Sequence, residues 1–149
     1  MQLSESKYPI RPIHELEPKL RKLVKMAIAV QKKAYAPYSR YLVGCVLVDS
    51  RGKIFTGCNV ENASYPAGLC AERTAIVKMV SEGGKRIQEL ILVGSSPEPV
   101  LPCGMCRQVI QEFGTKCRIT SVNPKGTSFR QIQFVELFPF GFTPDKLNQ

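Results

Sequence analysis

The architecture of this chain follows from residues 87–122, which read IQELILVGSSPEPVLPCGMCRQVIQEFGTKCRITSV. The apolar centre of 87–94 is typical of a buried strand, and a proline-rich loop follows at 95–101. A helix is predicted from Pro102 or Cys103 to Gly114, with a second strand at 116–122. Two strands joined through a helix run parallel and are connected by a right-handed crossover. This unit predicts an α/β fold.

The segments on either side of this unit complete the predicted fold. Before it, the patterns predict a helix from 18 to about 35, strands at 41–48 and 53–60 joined by a turn, and a helix at 70–80. After it, they predict a turn at 123–126, a short strand at 127–131 and a brief helix at 133–138. We therefore predict a three-layer α/β/α sandwich around a five-stranded mixed sheet. We expect residues 1–17 to form a mostly irregular N-terminal arm and residues 18–149 to form a single domain.

Composition narrows the class of protein. The chain has 149 residues, of which 44% are hydrophobic and 22% charged, the proportions of a globular domain. No apolar run is long enough to cross a bilayer, and the N-terminus lacks the pattern of a signal peptide. These features predict a cytoplasmic protein without a membrane partner. Its six cysteines should then be reduced and available to a metal ion.

The net charge of +9 raises the question of nucleic acid binding. The basic residues are scattered, apart from a concentration on the first predicted helix, and no long basic run or basic–aromatic pattern occurs. A charge excess alone is non-specific. We therefore do not expect nucleic acid to be a partner.

The candidate metal ligands are Cys70, Cys103 and Cys106. The C-x-x-C pair at 103–106 supplies half of a zinc site, and Cys70 also lies at a predicted helix start, where thiolates are stabilised. The only histidine, His14, is far away in the arm. Three thiolates with a fourth position open are typical of a catalytic zinc site rather than a structural one.

Two charged residues next to Cys70 suggest how such a site would work. Glu72 follows two residues later, and a carboxylate beside a zinc-activated water can accept its proton and pass it on. Arg73 lies on the same helical face as Cys70 and can offset the excess negative charge of three thiolates. Each could instead be an ordinary surface residue of a helix's first turn.

Four sequence blocks resemble the small homotetrameric zinc-dependent cytidine deaminases. They are CAER at 70–73, PCGMCRQ at 102–108, APYS at 36–39 followed by Val43-Gly44, and NVENASY at 59–65. The resemblance extends from about residue 34 to 147. It implies that family's fold and one Zn²⁺ per subunit.

The resemblance also implies an activity: the hydrolytic deamination of free cytidine and deoxycytidine to uridine and deoxyuridine, a pyrimidine salvage reaction. Glu72 would transfer protons, and the backbone N–H of Ala71 would hold the pyrimidine O2. Asn59 and Glu61, two apart on an extended segment, would converge on one ribose hydroxyl. Tyr65 would add a sugar contact. The partner is thus a free pyrimidine nucleoside.

Two aromatic positions carry further expectations from the family. Tyr41 stands where the family usually has a phenylalanine against the base. In the family's homotetramers, a phenylalanine from a neighbouring subunit's tail closes each pocket; Phe142 matches that position best, and Phe140 competes with it. Three exposed phenylalanines at 138–142 would be a liability on a monomer, which also favours a buried interface.

Two other functions remain open from the sequence. One is a related deaminase acting on blasticidin or on cytosine within RNA, although the segment 59–62 favours a free nucleoside. The other is a non-enzymatic module stabilised by zinc, which would require a fourth protein ligand.

Overall fold

A computed structural model of the chain describes residues 7–147. The strands are β1 (Arg11–Pro12), β2 (Gly44–Asp49), β3 (Ile54–Cys58), β4 (Ile87–Val93), β5 (Arg118–Val122) and β6 (Ser128–Gln133). The helices are α1 (Pro18–Gln31), α2 (Ala71–Ser81), α3 (Gly104–Phe113) and α4 (Phe134–Leu137). Short 3₁₀ turns occur at Ile13–Glu15, Tyr65–Ala67 and Pro144–Lys146. In the part of the chain so described, no helix combines the length and the apolar character that crossing a membrane would demand.

The strands form one mixed sheet in the order β1-β6-β5-β4-β2-β3. Strands β4 and β5 are parallel, as predicted from the helix between them, and the other neighbours are antiparallel. The prediction of five strands was wrong, because β1 adds a sixth at the edge. A two-residue strand carries no readable periodicity. It is placed by tertiary contacts, among them the Arg11 guanidinium 4.6 Å from the centre of the Phe129 ring.

The N-terminal arm is therefore not irregular throughout. The Ile13 N–H donates to Thr127 O over 2.8 Å, and Leu16 is buried against α1 and the sheet. Residues 1–6 of the predicted arm lie outside the described residues, as do the last two of the predicted domain. The boundary at residue 17 thus stays a prediction.

The first helix is shorter than predicted, ending at Gln31 instead of near Tyr35. Tyr35 leaves the helix because its backbone pairs with the segment after β3: its N–H donates to Asn59 O, and its carbonyl accepts from the Glu61 N–H. Strand β2 likewise begins at Gly44 rather than Tyr41. Residues 38–43 therefore form a loop beside this segment, and that loop becomes one wall of the site described below.

Helices cover both faces of the sheet, which confirms the three-layer sandwich. Alternate residues of β2 show the division, since Cys45 and Leu47 face the layer of α2 and α3, whereas Val46 and Val48 face α1. Both core clusters are made of nearly inaccessible aliphatic and aromatic side chains. Cys45 and Cys117 are buried in the core, whereas Cys58 is only half-buried.

Helix α2 approaches the sheet closely where β3 has a glycine. A Cβ atom at Gly57 would lie 2.4 Å from Ala71 O and 2.5 Å from Ala75 N. Both atoms belong to the helix backbone, which cannot move aside as a flexible side chain could. The absence of a side chain at Gly57 thus fixes how near the start of α2 lies to the sheet.

We expect Gly57→Ala to lower the free energy of unfolding by about 1–3 kcal/mol, because α2 must shift to make room for the methyl group. Urea denaturation checks this. The matched control is Gly104→Ala, whose Cβ would meet nothing within 4 Å. It should change stability by less than about 0.5 kcal/mol. Equal stability of the two variants would contradict the close packing of α2 on β3.

Candidate functional site

The three predicted metal ligands lie together at one edge of the sheet. Strands β3 and β4 are both antiparallel to β2, so they point the same way, and the helices that follow them start at the same edge. Cys70 is the N-cap residue of α2, and Cys103 is that of α3. Cys106 lies one turn into α3 and is fully buried.

The spacing of these sulfurs fits a tetrahedral metal ion. The Sγ atoms of Cys70 and Cys103 are 3.8 Å apart, and all three Sγ atoms lie within 4.8 Å of one another. Zinc–thiolate bonds of about 2.3 Å at tetrahedral angles place sulfurs about 3.8 Å apart. Among residues 7–147, this group of potential ligands contains only the three cysteines. The site thus supplies three protein ligands, one fewer than a closed structural zinc site has.

The environment favours a thiolate at Cys70. A hydrogen bond from Cys106 is the main cause that lowers the pKa of Cys70 to about 5; burial opposes it, while Arg73 and Cys103 lower the pKa further. The same hydrogen bond, with burial, raises the pKa of Cys106 above its ordinary value. Both N-cap positions also place sulfur at the positive end of a helix dipole. These are conditions under which thiolates bind a cation.

Arg73 lies beside the cysteines, as predicted from its helical spacing. Its Nη2 donates to Gly68 O over 2.9 Å and lies 3.8 Å from the Cys70 Sγ. The carbonyl of Gly68 thus holds the guanidinium against the thiol group. The charge is in place to offset part of the negative charge of the three sulfurs.

Glu72 is buried beside the same cluster, with 4% of its surface exposed. Burial is the main cause that raises the pKa of its carboxyl to about 7, and the negative charge of Cys70 adds to it. A carboxyl group with a pKa near neutrality can both accept and return a proton at physiological pH. Glu72 lines the cavity together with Cys70 and Cys103, and its role in proton transfer stays a prediction.

A cavity of about 690 Å³ opens over the cysteines and Glu72. It has room for a small molecule of drug or nucleoside size. Its walls include most of the predicted site residues: Tyr41, Asn59, Glu61, Tyr65, Cys70, Glu72, Arg73 and Cys103. Ala71 is fully buried behind the wall, and its N–H belongs to the first turn of α2, where no acceptor within the helix is available.

Phe142 does not line this cavity. It is 56% exposed, while Phe140 is 97% exposed. The Phe142 carbonyl accepts a hydrogen bond from Gln108 Nε2 over 2.9 Å, which ties the tail to α3. Within one chain, therefore, neither phenylalanine is brought to the predicted site.

Asn59 and Glu61 face the cavity, and both also hold one of its walls. Asn59 Oδ1 accepts from the Val43 N–H, and its Nδ2 donates to Tyr41 O, each over 2.8 Å. The carboxylate of Glu61 accepts from the N–H groups of Tyr38 and Ser39 at 2.9 and 3.2 Å, and from the Ser39 hydroxyl. The hydrogen bond from that hydroxyl is the main cause that lowers the pKa of Glu61.

The sequence reasoning missed this second role. The loop 38–43 contains Arg40 with a φ of 59°, a left-handed conformation that is costly for a residue with a side chain. Hydrogen bonds from the loop to Asn59 and Glu61 on either side of Arg40 hold that conformation. The A-P-Y-S sequence signals a turn, but not the residues that stabilise it.

Comparison with known proteins agrees with this geometry. A family model described as the cytidine and deoxycytidylate deaminase zinc-binding region matches residues 17–121. A cytidine deaminase of Halalkalibacterium halodurans is 40% identical over 127 residues, which cover 85% of this chain and 96% of that protein. One of Sporosarcina psychrophila is 38% identical, covering 87% of this chain and 95% of that protein.

Solved structures give the same result. The crystal structure of a cytidine deaminase from Burkholderia pseudomallei has a TM-score of 0.78 at 39% identity, covering 85% of this chain and 100% of that one. That of Mycobacterium tuberculosis has a TM-score of 0.72 at 34% identity, covering 85% and 99%. With a zinc-binding family model over most of its length and relatives matched almost end to end, the chain belongs to the cytidine and deoxycytidylate deaminase family and uses zinc.

Proposed function

We propose that this protein hydrolyses free cytidine and deoxycytidine to uridine and deoxyuridine, with release of ammonia, as a salvage enzyme for pyrimidine nucleosides. The observation that carries the proposal is the placement of Glu72, a buried carboxyl, beside three sulfurs at tetrahedral spacing under a nucleoside-sized cavity. The relatives named above are cytidine deaminases.

The proposed reaction replaces the C4–N4 bond of cytosine by a C4–O bond. Zinc, when held by Cys70, Cys103 and Cys106, supplies the Lewis acidity that makes water a nucleophile near neutral pH. Glu72 accepts the proton that this water gives up and delivers it to N3 of the base. Glu72 then takes the second proton of the same water, from the oxygen now bonded to C4, and delivers it to N4, so that the C4–N4 bond breaks and ammonia leaves.

The remaining residues bind and orient the nucleoside. The free N–H of Ala71 at the start of α2 would donate to the pyrimidine O2. The Asn59 amide donates one of its two hydrogens to Tyr41 O, which leaves the second for a ligand. This hydrogen and the Glu61 carboxylate would bind the sugar, since both residues line the cavity. Tyr65, which is 78% exposed at the rim, adds a sugar contact, and the Tyr41 ring stacks on the base.

Arg73 tunes the charge of the site. A zinc ion with three thiolates has a net charge of about −1, which would weaken its effect on a bound water. The guanidinium beside Cys70 offsets this excess. We therefore assign Arg73 an electrostatic role rather than a contact with the nucleoside.

The cavity favours a nucleoside over a nucleotide. Arg73 is the only cationic residue among its lining residues, and it is engaged by Gly68 and Cys70. The carboxylate of Glu61 would repel a nearby phosphate. A polynucleotide substrate would also lack the free sugar hydroxyl that Asn59 and Glu61 are proposed to bind. Cytidine therefore ranks above deoxycytidylate and RNA as a substrate.

A structural zinc module is a poorer explanation of the same residues. Such sites are closed by four protein ligands. The single histidine, His14, is exposed on the 3₁₀ turn Ile13–Glu15 and is not part of the cysteine group.

All six cysteines are free thiols. We therefore place the protein in the reducing cytoplasm, where such a cluster keeps its ligands.

The direct test is Glu72→Gln. We expect cytidine turnover to fall by about 10²–10⁴-fold, because the proton carrier is lost. Bound zinc and the fold should be retained, since the cysteines are intact. The loss of cytidine absorbance measures turnover, and atomic emission measures zinc per chain. The matched control is Glu82→Gln, at the other end of α2, where Glu82 pairs with Lys53 over 2.6 Å.

The same assay tests the substrate ranking. Wild-type protein should deaminate cytidine at least about tenfold more efficiently than deoxycytidylate or a cytosine-containing oligonucleotide, because a phosphate finds no free cation in the cavity. Full activity of Glu72→Gln would show that the mechanism is wrong. An active oligonucleotide substrate with inert cytidine would reverse the proposed function.

The tail of the chain supports a shared pocket. Phe140 and Phe142 are exposed on one chain, and neither reaches that chain's own cavity. Exposed aromatic side chains on a tethered tail are typical of an interface. We propose a homotetramer in which Phe142 closes the cavity of a neighbouring subunit.

Complementation between two inactive variants tests this arrangement. We expect co-expressed Phe142→Ala and Glu72→Gln chains to recover about one quarter of wild-type activity, because some pockets then combine an intact Glu72 with a neighbour's intact Phe142. Each variant alone should stay impaired. Recovery only with Phe140→Ala in place of Phe142→Ala would transfer the role to Phe140. A fully active monomer in light scattering would contradict shared pockets.

A further inference from the structure

The hydroxyl group of Tyr41 is hydrogen-bonded to Ser96, in the loop that follows β4. It shares a hydrogen bond of 2.8 Å with the Ser96 hydroxyl, and it accepts a second one from the Ser96 N–H over 3.3 Å. Tyr41 itself lines the cavity. A phenylalanine at this position would have neither bond.

The segment that holds Tyr41 is stiff. Ser96 precedes Pro97, and a residue before proline is confined to extended conformations. The neighbouring Ser95 hydroxyl accepts from the Leu42 N–H over 2.9 Å and donates to Leu42 O over 3.0 Å. These four hydrogen bonds tie the loop 38–43 to the segment 95–102, which leads directly to Cys103.

The space for the hydroxyl depends on Gly94. A Cβ atom there would lie 2.7 Å from the Tyr41 hydroxyl oxygen and 2.5 Å from Val100 Cγ2. Gly94 is the first residue after β4 and is buried. The end of this strand therefore lacks a side chain where the tyrosine oxygen reaches it.

We propose that Ser96 and Gly94 are positioning residues for the nucleoside: they hold the Tyr41 ring in the orientation that receives the base, and the Tyr41 hydroxyl is an anchor rather than a substrate ligand. This inference rests on the proposed function. A ring fixed before binding loses little freedom when the base stacks on it, so the anchor strengthens binding. Because the hydroxyl does not touch the reacting atoms, the anchor acts on KM and not on kcat.

The test is a double-mutant cycle of Tyr41→Phe and Ser96→Ala. Tyr41→Phe removes both hydrogen bonds to Ser96, and Ser96→Ala removes the 2.8 Å bond between the hydroxyls but keeps the backbone N–H. Tyr41→Phe should raise KM for cytidine by about fivefold, Ser96→Ala should raise it by no more than that, and both should leave kcat within about twofold. The double variant should be no worse than Tyr41→Phe alone, because that change already removes everything that Ser96→Ala removes. Ser96→Thr retains a hydroxyl and should restore a KM near that of wild type. The matched control is Tyr35→Phe, an exposed tyrosine that does not line the cavity.

The possible outcomes separate the alternatives. A higher KM for Tyr41→Phe with an unchanged KM for Ser96→Ala would mean that the Ser96 side chain does not hold the ring, which contradicts the inference. An unchanged KM in both Tyr41→Phe and Ser96→Ala would mean that the Tyr41–Ser96 contact has a structural role only, whether or not the melting temperature falls. That result would also contradict the inference. Wild-type protein inert towards cytidine would instead overturn the proposed function, and this inference with it.

Discussion

Three thiol sulfurs converge at the starts of two helices, and the rest of the site depends on that convergence. Cys70 and Cys103 cap α2 and α3, so each sulfur lies at the positive end of a helix dipole. Their separation of 3.8 Å is an edge of the tetrahedron that zinc prefers. Protein supplies three of the four ligands, and the cavity over them has Glu72 in its wall. Such a geometry suits a catalytic metal site rather than a structural one.

The sheet produces this convergence through strand direction and close packing. Strands β3 and β4 point the same way on either side of β2, so the helices after them begin at one edge. Gly57 lets α2 approach the sheet closely, and α3 follows from the crossover between the parallel strands β4 and β5. The substrate wall is built differently, from loops that side chains hold together. Asn59, Glu61 and Ser95 each bond to the backbone of the loop 38–43.

The sequence predicted the features that local patterns carry and missed those set by distant contacts. Short sequence segments predict the alternation of strands and helices, the parallel pair of strands and the cysteine cluster. The structure confirmed all three. The edge strand β1 was missed, because two residues show no period. The end of α1 was misplaced, because Tyr35 pairs with residues 59–61 instead of continuing the helix. The Tyr41–Ser96 contact joins residues too far apart in sequence for any motif to reveal it.

The most direct test of the central claim is X-ray absorption at the zinc K edge of the purified protein. The account predicts three sulfur neighbours at about 2.3 Å and one oxygen or nitrogen neighbour that does not come from a histidine. Cys103→Ser should lose one of the sulfur neighbours, or the metal altogether. Four sulfur neighbours, an imidazole signal, or protein that holds no zinc when metal is supplied would contradict a three-thiolate centre with an open corner.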